Sequence, residues 1–262
     1  MQQEAALNAP AVLRGLHTNT LGKNLYCLAE TGSTNEEIKR MARAGAPDGT
    51  TVTAERQTGG KGRLGRSWHS PQGGGLYFTV LLRGRHLPNP VTNAPLLAGL
   101  AVCTALRESF GTDAHIKWPN DVVIGSRKVC GILCEAGTDP SGCTWAAVGI
   151  GINVGNSAFP PELAVRATSL LLETGRTCTR CVVLQRILEK MEPLLESGSL
   201  PESYTRLCVS LGRQVSYFRG QQKKTGTACG ITPAGELLVQ LPGGSTEAVG
   251  SGEVTVQGIY GE

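Results

Sequence analysis

The residues best suited to chemistry in this sequence lie in a segment of twelve, Gln57-Thr58-Gly59-Gly60-Lys61-Gly62-Arg63-Leu64-Gly65-Arg66-Ser67-Trp68. Lys61, Arg63 and Arg66 alternate with glycines that let backbone amides point inward, a composition suited to closing over phosphate or carboxylate groups. Trp68 follows directly and offers a ring to stack on a base or cap a closed site. The same composition also describes a flexible surface loop that carries charge for solubility. Gly60, Gly62 and Gly65 satisfy G-x-G-x-x-G, but a dinucleotide fingerprint must open a helix whose N-terminus holds the pyrophosphate. Here Ser67 to Pro71 leads through Gly73, Gly74 and Gly75 into a strand, so that reading fails. A P-loop fails too, since no G-x-x-x-x-G-K-[ST] is present.

Two other places suit an acidic, nucleotide-like ligand. Lys117-Trp118-Pro119-Asn120-Asp121 sets a cation, an amide and a carboxylate within five residues, with Pro119 fixing the turn. Lys128 stands at the entrance to an apolar strand, where it could snorkel to water or meet a ligand carboxylate. In Gly149-x-Gly151-x-Asn153 the glycines alternate within a strand, which marks either close approach by a ligand or tight sheet packing.

Strands and helices must position these groups. Leu25–Leu28 reads as a strand, and Thr34 with Glu37 three residues later predicts a capping box opening a helix through Ile38, Met41 and Ala42. Thr50–Arg56 and Leu76–Leu82 read as strands, and Asn93–Phe110 as a helix with Leu97, Leu100, Ala101 and Ala105 on one face. Val122–Ile124, Val129–Glu135 and Trp145–Val154 are apolar runs of strand length. Leu184, Ile187, Leu188, Met191 and Leu195 share a helical face, which Pro193 should bend or end. Beyond Gly212 the texture turns to short β runs punctuated by Pro-Gly turns. The expected organisation is α/β (α+β): a loose lead-in over 1–22, a main domain over 23–210 and a small β-module over 211–262.

Composition bounds the function. With 262 residues, 40% of them apolar, the chain can bury a proper core. A net charge of +4 with only 5% aromatic residues argues against a nucleic-acid-binding module built on the basic loop. No apolar run reaches the roughly 18 residues of a membrane span. Met1-Gln2-Gln3-Glu4 lacks a cationic region before a hydrophobic stretch, so no secretory signal is readable and a cytoplasmic location is expected. Nine cysteines, an odd number in a long chain, read as reduced thiols acting as small hydrophobes. Cys130-x-x-x-Cys134 and Cys178-x-x-Cys181 have ligand-like spacing but lack a second pair, the four histidines are scattered, and any metal site is left unknown.

Taken together, in order and spacing, these segments resemble the biotin protein ligases. The residues that carry the likeness are Ser33-Thr34-Asn35-Glu36, the Gly60–Trp68 loop, Lys117–Asp121, Lys128-x-x-Gly131-Ile-Leu-x-Glu135, Gly149-x-Gly151-x-Asn153 and the terminal β-module. The resemblance implies a mixed sheet flanked by helices, akin to class II aminoacyl-tRNA synthetases, with an SH3-like C-terminal domain. It implies two half-reactions: biotin and MgATP give biotinyl-5′-AMP, and the adenylate then acylates a lysine of a carboxylase's biotin carboxyl carrier domain.

The resemblance also implies roles by position. Biotin would be held by Ser33, Thr34, Asn35, Gln57, Lys61, Gly62, Arg63, Lys128 and Gly131, with Ser33, Thr34 and Gln57 at its ureido end. ATP would meet Arg63, Arg66, Trp68, Lys117, Asn120 and Asn153. Lys128, Arg63 and Asp121 would be catalytic, with Asn120 and Asp121 helping to place metal or the carrier lysine. Gly32 stands where such ligases often have Asp, and Lys61 where they often have Arg, which keeps charge but loses a planar fork. The short segment before the first strand resembles the monofunctional kind, without operator-DNA binding. Pairing into a homodimer is left open. The nearest rival is a lipoate ligase.

Overall fold

The computed structural model describes residues 6–250 and 254–260. The elements run α1 (Ala9–Arg14), β1 (Leu25–Thr31), α2 (Thr34–Arg43), β2 (Thr51–Gln57), β3 (Gly75–Leu82), α3 (Ala94–Phe110), β4 (Ala114–Lys117), β5 (Asp121–Ile124), β6 (Arg127–Thr138) and β7 (Thr144–Asn153). Then follow α4 (Pro161–Ala164), α5 (Leu170–Thr174), α6 (Arg180–Ser197), α7 (Glu202–Leu207), β8 (Gln214–Arg219), β9 (Gln222–Ile231), β10 (Leu237–Gln240), β11 (Thr246–Val249) and β12 (Val254–Val256). Strands β1 to β7 form one sheet in the order β1-β2-β3-β7-β6-β5-β4, mixed because β1 and β2 run parallel while β2–β3, β3–β7 and β6–β7 are antiparallel. The C-terminal strands form a separate five-stranded sheet, β11-β10-β9-β8-β12. No helix among the described residues is long and apolar enough to cross a membrane.

Side chains alternate across a strand with period two, and here the two faces of the large sheet differ in kind. On one face Leu76, Phe78, Val80 and Leu82 of β3 join Val148, Ile150 and Ile152 of β7 and Ile132 of β6, packed with Leu97, Ala101, Leu184 and Leu188 from α3 and α6. The other face carries a small cluster under α2, formed by Ile38, Ala42, Val52, Leu81, Trp145 and Ala147. Next to that cluster the strands present Gly131, Gly149 and Gly151 instead of branched residues, leaving a hollow in the sheet surface.

Three expectations are corrected. Residues 9–14 form a helix rather than part of a loose lead-in, and Leu7, Val12, Leu16 and Leu21 are buried in the core. The helix is capped by Asn8, whose Oδ1 accepts from the Ala11 N–H at 2.9 Å, and is held by Gln185 of α6, which donates to the Val12 carbonyl at 2.8 Å. Beyond it, the Glu192 carboxylate accepts from the backbone N–H groups of Asn19, Thr20 and Leu21 at 2.7, 2.7 and 2.9 Å. Residues 1–5 of that lead-in, and 251–253 and 261–262 of the expected β-module, lie outside the described residues. The capping box does not form: Ser33 is the N-cap of α2, and the Glu37 carboxylate accepts from the Thr31 hydroxyl at 3.0 Å instead. Of the two outcomes expected at Pro193, bending or ending the helix, the ending does not occur: α6 continues to a left-handed Gly198. Leu195 is buried beside Leu188 and Met191, and burying that last turn outweighs one lost hydrogen bond.

Burial also decides the cysteines. Cys103, Cys130 and Cys208 are buried, and desolvation raises all three thiols, Cys103 to about 12, so they are neutral at pH 7.

Candidate active site

The floor of the hollow is made by register. Gly131 of β6 pairs with Gly151 of β7, which pairs on its other side with Tyr77 of β3. Gly149 pairs with Leu133 and Thr79. One wall comes from the start of α2. The Thr79 hydroxyl donates to Asn35 Oδ1 at 2.7 Å, and Asn35 Nδ2 donates to the Glu135 carboxylate at 2.9 Å. Gln57, the last residue of β2, accepts at Oε1 from the Thr34 N–H and hydroxyl at 2.9 and 3.1 Å, and its Nε2 donates to the Ser70 hydroxyl at 3.0 Å.

The glycine-and-cation loop covers this floor. It folds back on itself through a bridge between Lys61 and Ser67, with Gly62 N–H donating to the Arg66 carbonyl at 2.7 Å. Side chains fasten it at both sides. Lys61 meets Glu36 at 2.5 Å on α2, while Arg63 donates to Asn120 Oδ1 at 2.9 Å on the far bank. Hydrogen bonds from Lys39 and then Lys61 hold the Glu36 carboxyl below the usual range. The indole of Trp68 lies directly over the floor, so that a Cβ at Gly151 would stand 2.4 Å from its Nε1. That nitrogen is buried without a hydrogen-bond partner.

A β-bulge aims the key lysine. Asp121 and Val123, two apart in β5, oppose Gly131 and Lys128, which are three apart in β6. The extra residue puts Lys128 on the same side as Gly131, where an unbroken strand would send it to the opposite face. Its ammonium stands 5.2 Å from the centre of the Trp68 ring and 2.6 Å from Asp121 Oδ1. Burial alone would raise the Asp121 carboxyl. The ammonium groups of Lys128 and Lys117, with hydrogen bonds from Lys128 and Tyr260, more than offset it and hold the group below its ordinary value, as a carboxylate.

All nine residues expected around biotin, Ser33, Thr34, Asn35, Gln57, Lys61, Gly62, Arg63, Lys128 and Gly131, line this one hollow. Arg66, Trp68 and Asn153 line an adjoining hollow that shares Lys128. Asn153 is turned to the backbone, donating to the Thr168 carbonyl at 3.0 Å. Lys117 and Asn120 join Arg63, Arg66, Asp121 and Lys128 around a third hollow, though Lys117 is buried and donates to the Val254 carbonyl at 3.2 Å. Arg166 and Tyr260 line both the second and third hollows and escaped sequence reasoning. No local pattern marks either one. Glu36 and Glu135 were inside recognisable segments, and their charge opposite Lys61 and Lys39 was the available signal.

A cationic glycine loop thus lies over a glycine floor, with a lysine–aspartate pair at its mouth. The Biotin/lipoate A/B protein ligase family matches residues 28–153, and the Biotin protein ligase C terminal domain matches residues 210–256. The chain belongs to the biotin protein ligase family. It is 31% identical over 255 residues to the bifunctional ligase/repressor BirA of Bacillus spizizenii, covering 93% of this chain and 78% of that one. It is 30% identical over 270 residues to the biotin--[acetyl-CoA-carboxylase] ligase of Mycobacterium tuberculosis, covering 97% and 98%. Among solved structures it resembles biotin protein ligase from Aquifex aeolicus in complex with biotin and ATP, with TM-score 0.77, 36% identity, and 90% of this chain and 99% of that chain covered.

Proposed function

We propose that this ligase joins biotin to AMP and then transfers the biotinyl group to a lysine of a biotin carboxyl carrier domain. The observation that carries the reading is the position of Lys128, its ammonium beside the glycine floor and under the Trp68 ring. Biotin lies on Gly131, Gly149 and Gly151, its ureido end toward Ser33, Thr34 and Gln57 and its carboxylate toward Lys128. One carboxylate oxygen attacks the α-phosphorus of ATP, and pyrophosphate leaves. Lys128, Arg63 and Arg66 offset repulsion between the two anions and stabilise charge at phosphorus. Trp68 and the loop keep water from the mixed anhydride. In the second step the carrier amine attacks the acyl carbon, an amide forms and AMP departs. Asp121 takes its part by holding the Lys128 ammonium in place. The chain divides for this purpose into a catalytic domain over 23–210, with residues 7–21 packed into its core, and a C-terminal domain over 211–262.

Magnesium enters as part of the MgATP substrate. Among the described residues no group of three or more His, Cys, Asp or Glu could hold a metal, and the two oxygens of Asp121 face Lys128 and Tyr260. With both oxygens engaged, Asp121 is not arranged as a metal ligand, and the ion would come bound to the phosphates of ATP.

Purified protein with ATP, Mg²⁺ and biotin should form biotinyl-AMP, read by biotin-dependent pyrophosphate exchange; exchange driven by lipoate instead would replace this reading with its rival. Lys128→Ala should lower the exchange rate by roughly a hundredfold or more, the scale of losing one preorganised charge at a reacting oxyanion. Wild-type exchange in that variant would remove Lys128 from the mechanism.

A further inference from the structure

The site's ion pair is completed from the far end of the chain. Tyr260 follows β12 of the C-terminal sheet, and its hydroxyl donates to Asp121 Oδ2 at 2.6 Å across 139 residues of sequence. The other oxygen of the same carboxylate faces the Lys128 ammonium at 2.6 Å. Tyr260 also donates its backbone N–H to the Ser126 carbonyl at 3.0 Å, in the turn that joins β5 to β6. One residue therefore grips the hairpin carrying Asp121 and Lys128 at two points. Lys117 stacks on the Tyr260 ring, its ammonium 5.0 Å from the centroid.

The backbone makes this arrangement hard to dismiss as incidental packing. Tyr260 has φ 63°, and only one other non-glycine residue among those described, Leu64, has positive φ. A bulky residue in the left-handed region costs energy and persists where surrounding contacts over-determine it. Mere attachment of the C-terminal sheet has other sources: Trp118 Nε1 donates to the Gly235 carbonyl at 2.9 Å and Asn93 Nδ2 to the Pro233 carbonyl at 3.1 Å.

We propose that Tyr260 is a positioning residue: it fixes one oxygen of Asp121 so that the other holds the Lys128 ammonium in its reactive place, and the C-terminal sheet thereby sets the geometry of the reacting centre. The inference rests on the role proposed above for Lys128. A carboxylate bound by one cation can rotate about its Cβ–Cγ bond; bound at both oxygens it cannot, and the ammonium it faces is held with it. In this role Tyr260 acts through Asp121.

Tyr260→Phe tests this, because it keeps the ring over Lys117 and removes only the hydroxyl. The saturating rate of biotinyl-AMP formation should fall about tenfold, the scale of one hydrogen bond to a charged group, while KM for biotin and for ATP changes by less than about twofold. In an Asp121→Asn background the same change should have no further effect, since the hydroxyl works only through that carboxylate. Thermal unfolding of Tyr260→Phe monitors the purely structural alternative, which predicts a lowered Tm and an equal loss in both backgrounds. An unchanged rate in Tyr260→Phe, or a second tenfold loss on top of Asp121→Asn, overturns the inference. If Lys128→Ala is inactive while Tyr260→Phe is fully active, this inference alone fails; if Lys128→Ala is fully active, the proposed function fails with it.

Discussion

Glycine serves the floor of the cleft and the loop above it for opposite physical reasons. On the floor the strand backbone is ordinary and the missing side chain matters: a Cβ on Gly149 would stand 2.0 Å from Asn35 Oδ1, and one on Gly131 2.8 Å from Trp68. At Gly65 in the loop nothing lies within 4 Å of a Cβ, but φ is +75°, a conformation that side-chain-bearing residues resist. The floor needs emptiness, and at Gly65 the loop needs a backbone shape, although at Gly60 it too needs space, a Cβ there standing 2.6 Å from the Trp68 carbonyl oxygen. The floor is fixed by hydrogen bonding to strands on both sides, whereas the loop is fastened by Lys61–Glu36, Arg63–Asn120 and a short internal bridge. A rigid template under an adaptable cover is what a site needs if it must admit a ligand and then exclude water.

Substitutions should separate the two roles. Gly151→Val should weaken biotin binding by up to about a hundredfold, the scale of forcing a branched side chain into filled space, as measured by calorimetric titration. Binding as tight as wild type would mean that ligand does not lie on this floor. Arg63→Gly should cost about tenfold in biotin affinity, as expected for a charge-assisted hydrogen bond lost from the cover. It should also release adenylate, seen as biotin appearing on bystander proteins; labelling confined to the carrier would deny the loop its sheltering role. Gly65→Ala should be mildest, about fivefold in affinity from the cost of a left-handed alanine, with Tm unchanged because the strain falls on the loop alone. An equal effect at Gly65 and Gly151 would erase the distinction.

Much of this was legible from residue types, and the reason is locality. The loop, the Lys117–Asp121 segment and the Gly149–Asn153 run each carry their chemistry within a few consecutive residues, and the large helices follow apolar spacing. What was hidden depends on partners distant in sequence. Helix α1 is only six residues long, too short for a periodic signal, and what orders its surroundings is Glu192 on α6. Thr34 and Glu37 have capping-box spacing, yet Glu37 finds Thr31 because β1 ends beside it. The bulge at Lys128 leaves no mark in composition, since Val129 and Cys130 are both buried as strand residues should be. Tyr260 could not be linked to Asp121 without the fold.

The resting place of Trp68 has a practical side. Of the three tryptophans, Trp118 and Trp145 are sealed in the interior at 1% and 2% exposure, while Trp68 is half-buried beside an ammonium group. Any occupant of the floor must displace its ring or restack it, changing the polarity around a single indole. The protein thus contains its own optical reporter, whose ultraviolet emission follows filling of the cleft without an attached dye.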